Sequence, residues 1–260
     1  MLKKHSFECF FLLHLTIKYI LMKNLVVLFF IFSIIACSDD NFIRSGFERP
    51  RTNQTVEIPP EGLKLKSKGA LYYTQFFHNK NGFVDSTYSS DSWHGYNEVM
   101  EKYIYNKQNQ IVECKVYYSF PHYPQNNRKE IIYYAYNTKN QIISTTTYDQ
   151  NNVAIQYRTF TYNRDGSLFN PSLKIVNENV VKEGGVTYEF DNTRNPLYNI
   201  YPKAYRILHA VNKNNITLTK YSESNYHEHT LRYNDVNYIV EEKISNMPTD
   251  TNDHIGYLYY

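Results

Sequence analysis

The chain has 260 residues, 42% of them hydrophobic and 20% charged, with a formal net charge of +3 and 27 tyrosines. That is enough chain and apolar content for one well-buried core. With only nine glycines and three cysteines, it has no glycine-rich phosphate loop and no disulfide framework.

The amino terminus reads as an export signal. Met22-Lys23-Asn24 is a short basic start, Leu25 to Ile35 is apolar, and Ala36-Cys37 precedes an abrupt polar stretch, Ser38-Asp39-Asp40-Asn41. A small residue followed directly by cysteine resembles the lipobox of bacterial lipoproteins, which implies cleavage before Cys37 and lipidation of its thiol. Several acyl chains anchor stably where a single one does not. The alternative is a transmembrane helix. Leu25 to Ala36 is shorter than the roughly 20 residues a bilayer needs, and the longer stretch from Phe10 is interrupted by Lys18 and Lys23. Translation is expected to start at Met22 rather than Met1, and the acidic residues after Cys37 resemble the surface-export tags of Bacteroidetes lipoproteins. Residues 1–36 carry four lysines against one glutamate, so their removal takes the net charge from +3 to 0. A nucleic-acid partner then loses its electrostatic support.

Residues 37–62 contain Pro50, Pro59 and Pro60 and little periodicity. They are expected to form a tether, with a first strand around Thr55–Ile58 as the alternative. Residues 63–260 are expected to form one β-domain.

In that domain one pattern recurs: an aromatic residue, Asn or Gly four residues on, and an apolar residue at six. Phe77/Asn81/Phe83, Tyr105/Asn109/Ile111, Tyr136/Asn140/Ile142, Tyr162/Gly166/Leu168 and Tyr233/Asn237/Ile239 fit it. Phe190 with Asn195-Pro196-Leu197 is a variant one step late, and Tyr148 to Val153 a compressed copy. Asn and Gly tolerate the positive φ of tight turns, and the flanking residues suit a half-buried pleated surface. The fold class is therefore all-β: an antiparallel meander of repeated hairpins, as a curled sheet or barrel. Asn109, Asn140 and Gly166 should occupy equivalent turns, whereas Gly69, outside any repeat, should matter less. Val112, Cys114, Val116 and Tyr118 are expected to share the buried face, opposite Glu113 and Lys115. Cys114 is thus a core residue rather than a reactive thiol. Pro202, Ala204, Ile207, Leu208 and Val211 predict one short helix near 203–211, stopped by Asn212 to Asn215.

With the lipoprotein start and the tyrosine-rich hairpins, the segment Tyr188-Glu189-Phe190-Asp191-Asn192-Thr193-Arg194-Asn195-Pro196-Leu197 resembles a family of Bacteroidetes lipoproteins with a porin-like β-meander fold. The hairpin unit also echoes the tyrosine–aspartate repeats of large bacterial surface and toxin-shell proteins. The resemblance implies no activity and no catalytic residues.

Few residues invite a chemical role. His227 and His229 share a strand face, but zinc needs further ligands, so exposed histidines are expected. Asp91-Ser92-Trp93-His94-Gly95 holds residues a hydrolase uses, yet neighbours on a strand point to opposite faces, and a loop is expected instead. Asp85-Ser86-Thr87 fits a short O-glycosylation pattern. The tyrosines are expected to be structural rather than a sugar platform. Gly256 to Tyr260 resembles a terminal barrel strand, although the charge of the other strands opposes a membrane-spanning barrel. The sequence therefore predicts Cys37 as the only site residue, no cofactor, no metal and no catalytic residue. Its partners would be the membrane through a lipid anchor, and an envelope protein or glycan. The expected address is the outer membrane, and the expected function is a non-enzymatic binding or structural β-domain. A barrel holding a lipid or glycan in its lumen and, behind it, a hydrolase are the alternatives.

Overall fold

The computed structural model describes residues 57, 62–70, 72–91, 97–246 and 253–260. The signal segment, Cys37, most of the tether and Ser92 to Gly95 lie outside them. The described residues form β1 (Leu65–Gly69), β2 (Tyr72–His78), β3 (Val84–Asp91), β4 (Asn97–Tyr105), β5 (Ile111–Ser119), β6 (Arg128–Tyr136), β7 (Ile142–Tyr148) and β8 (Ala154–Thr159). There follow β9 (Leu173–Val176), β10 (Asn179–Glu183), β11 (Val186–Arg194), the helix α1 (Lys203–Leu208), β12 (Asn214–Lys220), β13 (Tyr226–Tyr233), β14 (Ile239–Ser245) and β15 (Asp253–Tyr259).

All fifteen strands belong to one antiparallel sheet, ordered β8 through β1, then β15 down to β9. The terminal strand expected at Gly256 to Tyr260 is β15, and it pairs with β1. The sheet is not closed: β8 and β9 are its edges. An odd number of strands, each antiparallel to its neighbour, leaves these two edges running in the same direction.

The repeated turns share one geometry. Asn106, Asn137, Asp149 and Asn234 each accept two backbone N–H bonds on Oδ1, from the residues two and four further on. The residue three further on takes positive φ: Asn109 61°, Asn140 61°, Asn152 59°, Asn237 60°, with Gly166 at 86° in the turn begun by Asn163. The first turn belongs to the same class but starts at Asn79, with Gly82 at φ 84°. Its frame is His78/Asn79/Gly82/Val84, one residue later than Phe77/Asn81/Phe83. Tyr148 to Ala154 is a full-length copy rather than a compressed one, since Tyr148 pairs with Ala154. Phe190 starts no turn: β11 runs on to Arg194, and a short 3-10 turn, Pro196–Asn199, follows.

The five hairpins begun at Asn79, Asn106, Asn137, Asp149 and Asn234 also carry a bulge on the returning strand. Ile111 pairs with Tyr105 but Glu113 with Ile104, leaving Val112 without an opposite number. The same shift leaves out Asp85, Ile143, Ile155 and Val240. One extra residue reverses which side faces in. Ile111, not Val112, therefore joins Cys114 and Val116 in the core. Glu113 and Lys115 face the other way and pair at 3.4 Å.

The bulge gives the tyrosines their role. Tyr105, Tyr136, Tyr162 and Tyr259 donate their hydroxyls to the carbonyls of Val84, Ile111, Ile142 and Ile239 at 2.5–2.8 Å. Each acceptor starts the returning strand of the adjacent hairpin, next to its bulge. The ring fills core space while the hydroxyl satisfies a carbonyl where the ladder is interrupted. Side-chain amide hydrogen bonds link neighbouring turns along the same rim, donated by Asn81 to Asn109 and by Gln110 to Asn140.

The helix is shorter than expected. It ends because Ala210 adopts φ 50°, before Asn212 is reached. Tyr201 and Tyr205 pack onto Tyr103 of β4, and Tyr205 also onto Tyr134 of β6, with ring centroids 5.7–6.2 Å apart. This cluster fills the inner face at the rim that carries the Asn turns.

Candidate functional site

Cys37, the one predicted site residue, lies outside the described residues. The histidine pair does not match its expectation. His227 is edge-on to Tyr221, while His229 is half-buried, its side chain 9% exposed. Its Nδ1 is 2.7 Å from Oε1 of Glu242, and its Nε2 is 3.1 Å from Oγ1 of Thr219. Glu242 also accepts the Tyr257 hydroxyl at 2.5 Å, and the Lys68 ammonium lies 5.3 Å from the centre of the Tyr257 ring. Burial alone would raise the Glu242 pKa; the bonds from His229 and Tyr257, with the Lys68 charge, leave it lowered. A hydroxyl, an imidazole and a carboxylate thus stand in line on three adjacent strands. Glu241-Glu242-Lys243 reads as an exposed polar run, and the bulge at Val240 turns Glu242 inward.

A second carboxylate sits on β4. Glu101 accepts hydroxyls from Thr87 at 2.9 Å and Tyr103 at 2.7 Å. Thr87, part of the short O-glycosylation pattern, is therefore buried in β3, with Asp85 at its bulge. Asp91 ends β3 opposite Asn97. Cys114 is 1% exposed, and burial pushes its thiol well above the usual range, as expected of a core residue.

A cleft of about 880 Å³ opens beside α1, between the turn after β8 and the β9–β10 hairpin. Tyr162, Tyr198, Lys139, Arg164, Arg206 and Glu178 are among its lining residues. Arg206 stacks 3.8 Å above the Tyr198 ring and donates to the Tyr198 carbonyl at 3.0 Å. Glu57 braces the same wall: its carboxylate accepts the Lys203 N–H at 2.6 Å and lies 4.0 Å from the Arg206 guanidinium. Its backbone N–H reaches the Gln108 carbonyl at 3.3 Å. Burial raises the Glu57 pKa, against the lowering effect of Lys203 and Arg206. The cleft thus offers charges of both signs and two phenol rings. None of this was legible beforehand, because its residues come from five separate stretches of chain.

Among the described residues, no group of three His, Cys, Asp or Glu side chains is placed to hold a metal, and no helix is long and apolar enough to cross a membrane. Neither a family model nor a curated protein matches the sequence. Among solved structures the chain is similar to a porin-like protein from Bacteroides uniformis, at 10% identity and a TM-score of 0.34, covering 76% of this chain and 96% of that one.

Proposed function

We propose that this chain is an outer-membrane lipoprotein, anchored through Cys37, whose non-enzymatic β-domain binds an envelope glycan or protein in the cleft beside α1. The observation that supports the site is the concentration there of aromatic rings and charges of both signs, in a recess of ligand size. The rim where a lumenal ligand would meet α1 is occupied by Tyr103, Tyr134, Tyr201 and Tyr205, so the cleft is the better seat. Titration with envelope oligosaccharides should move the NMR signals of Tyr162 and Tyr198 saturably, and Arg164→Ala with Tyr198→Ala should weaken binding by tenfold or more. Shifts confined to other surfaces would overturn the site. Cys37→Ser should abolish lipid labelling; membrane partition with an intact leader would point to a transmembrane segment instead.

A hydrolase is the second reading, favoured by the Thr219–His229–Glu242 alignment. It requires turnover of a chromogenic ester that Thr219→Val removes. Equal rates for both proteins would dispose of it.

A further inference from the structure

The seam between β8 and β9 has a cause in the sequence. After β8 the chain turns back, and Tyr162 pairs with Leu168 as the start of another antiparallel strand. Phe169 N–H then donates to the Thr161 carbonyl at 2.9 Å. Carried on without a bulge, the same register would set Pro171 opposite Thr159. Proline has no N–H to donate, so the pairing stops there. The Asn170 carbonyl instead accepts the Leu173 N–H at 2.9 Å in a tight turn. A would-be sixteenth strand is cut off after its first residues.

What remains is an unpaired length of β8. Phe160 N–H bonds Ile143 O at 2.9 Å, so Phe160 faces β7. By the alternation of an antiparallel ladder, Arg158 faces β7 as well, while Tyr157 and Thr159 turn their N–H and C=O groups to the open edge. All six residues of β8 are exposed. Apart from the bulge at Ile155, the strand lacks the usual protections of an edge: it has no proline and no lysine. Instead Ile155 is 53% and Tyr157 66% exposed, and Phe169 and Val176 are exposed on the chain that follows. Because β8 and β9 run the same way, they cannot pair antiparallel with each other. A strand added antiparallel at either edge runs opposite to it. The charges specify its character: β8 and β9 carry Arg158 and Lys174 and no carboxylate.

We infer that the β8 edge is a strand-addition site for an extended, proline-free segment of a partner protein, apolar on the side beside Tyr157 and acidic on the side beside Arg158. This deepens the binding role proposed above by naming an extended acidic peptide as the partner, and it places recognition on backbone hydrogen bonds.

The probe is a seven-residue acetylated peptide of alternating valine and glutamate, added to the full β-domain and followed by residue-resolved amide exchange and calorimetry. Binding should slow exchange at Tyr157 and Thr159 by tenfold or more. The valine–lysine counterpart should bind at least tenfold more weakly. Thr159→Pro removes an N–H that no strand of the domain uses, so the far-UV spectrum should be unchanged while peptide binding is lost. Equal binding to Thr159→Pro, protection elsewhere, or no binding of the acidic peptide at millimolar concentration would overturn the inference. So would protection of these amides that rises with protein concentration alone, which would assign the edge to a second copy of the chain. Absence of peptide binding to the unaltered domain, with oligosaccharide binding intact, would reject the strand site and leave the cleft reading standing.

Discussion

Replacing Tyr136 with phenylalanine isolates the contribution of the tyrosine-to-bulge bond. The Tyr136 hydroxyl donates to the Ile111 carbonyl at 2.8 Å, and burial pushes its pKa far above the usual phenol range. The ring survives the substitution, so little apolar burial changes. What is lost is one hydrogen bond to a carbonyl beside the wholly buried Ile111. Leaving such a group unsatisfied costs about 1–3 kcal/mol, against a total stability of about 5–15 kcal/mol for a domain. The control is Tyr157→Phe, whose ring is 66% exposed and which should change stability by less than about 0.5 kcal/mol. In urea, Tyr136→Phe should lower the midpoint at constant slope. Tyr105→Phe, one hairpin away, should lower it by a similar amount. Equal midpoints for Tyr136→Phe and Tyr157→Phe would refute the idea that the tyrosines hold the hairpins together.

Gly166→Val should destabilise by roughly 1–2 kcal/mol, the cost of a side chain in left-handed geometry; thermal melts measure it. Gly69→Val should cost more, contrary to its position outside the repeats, because at φ 143° a Cβ there would lie 2.0 Å from the Tyr72 carbonyl oxygen, whereas at Gly166 the nearest atom is 3.8 Å away. Alkali should unfold the domain between pH 10 and 12. Burial raises both Tyr162 and Tyr233 to about 12 from an unfolded value of 10.0, so the fold favours their neutral forms and that stability is lost as pH climbs through this window. Circular dichroism against pH checks this, and an unchanged signal to pH 12 would contradict it. Cys114 should react with thiol reagents slowly in the native protein and rapidly once unfolded, since it is 1% exposed.

The fold class was legible because its unit is local. An Asn or Asp that accepts two backbone bonds, with Asn or Gly three residues later, is written in the hairpins begun at Asn79, Asn106, Asn137, Asp149 and Asn234. The bulge was not legible, because a bulge is a pairing event between strands. Reading simple alternation through it misassigned Val112 and hid Glu242, whereas His229, on the unbulged β13, shares a side with Leu231 and Tyr233 by plain alternation. Phe190 misled for a related reason: its Asp191 has the composition of a turn, but its carboxylate is taken up by Thr193, Asn215 and Tyr233. The cleft and the seam depend on contacts between distant stretches, which local patterns do not record. Pro171 was visible in the sequence, yet its meaning required the register begun by the Tyr162–Leu168 pair.

The central claim is that the meander remains an open sheet with its seam at β8. Residue-by-residue amide exchange in dilute protein tests it most directly. Arg158 and Phe160 should exchange slowly and Tyr157 and Thr159 quickly, an alternation that only an unpaired outer edge produces. Uniform protection of all four at every concentration would show that the sheet closes and would contradict the account.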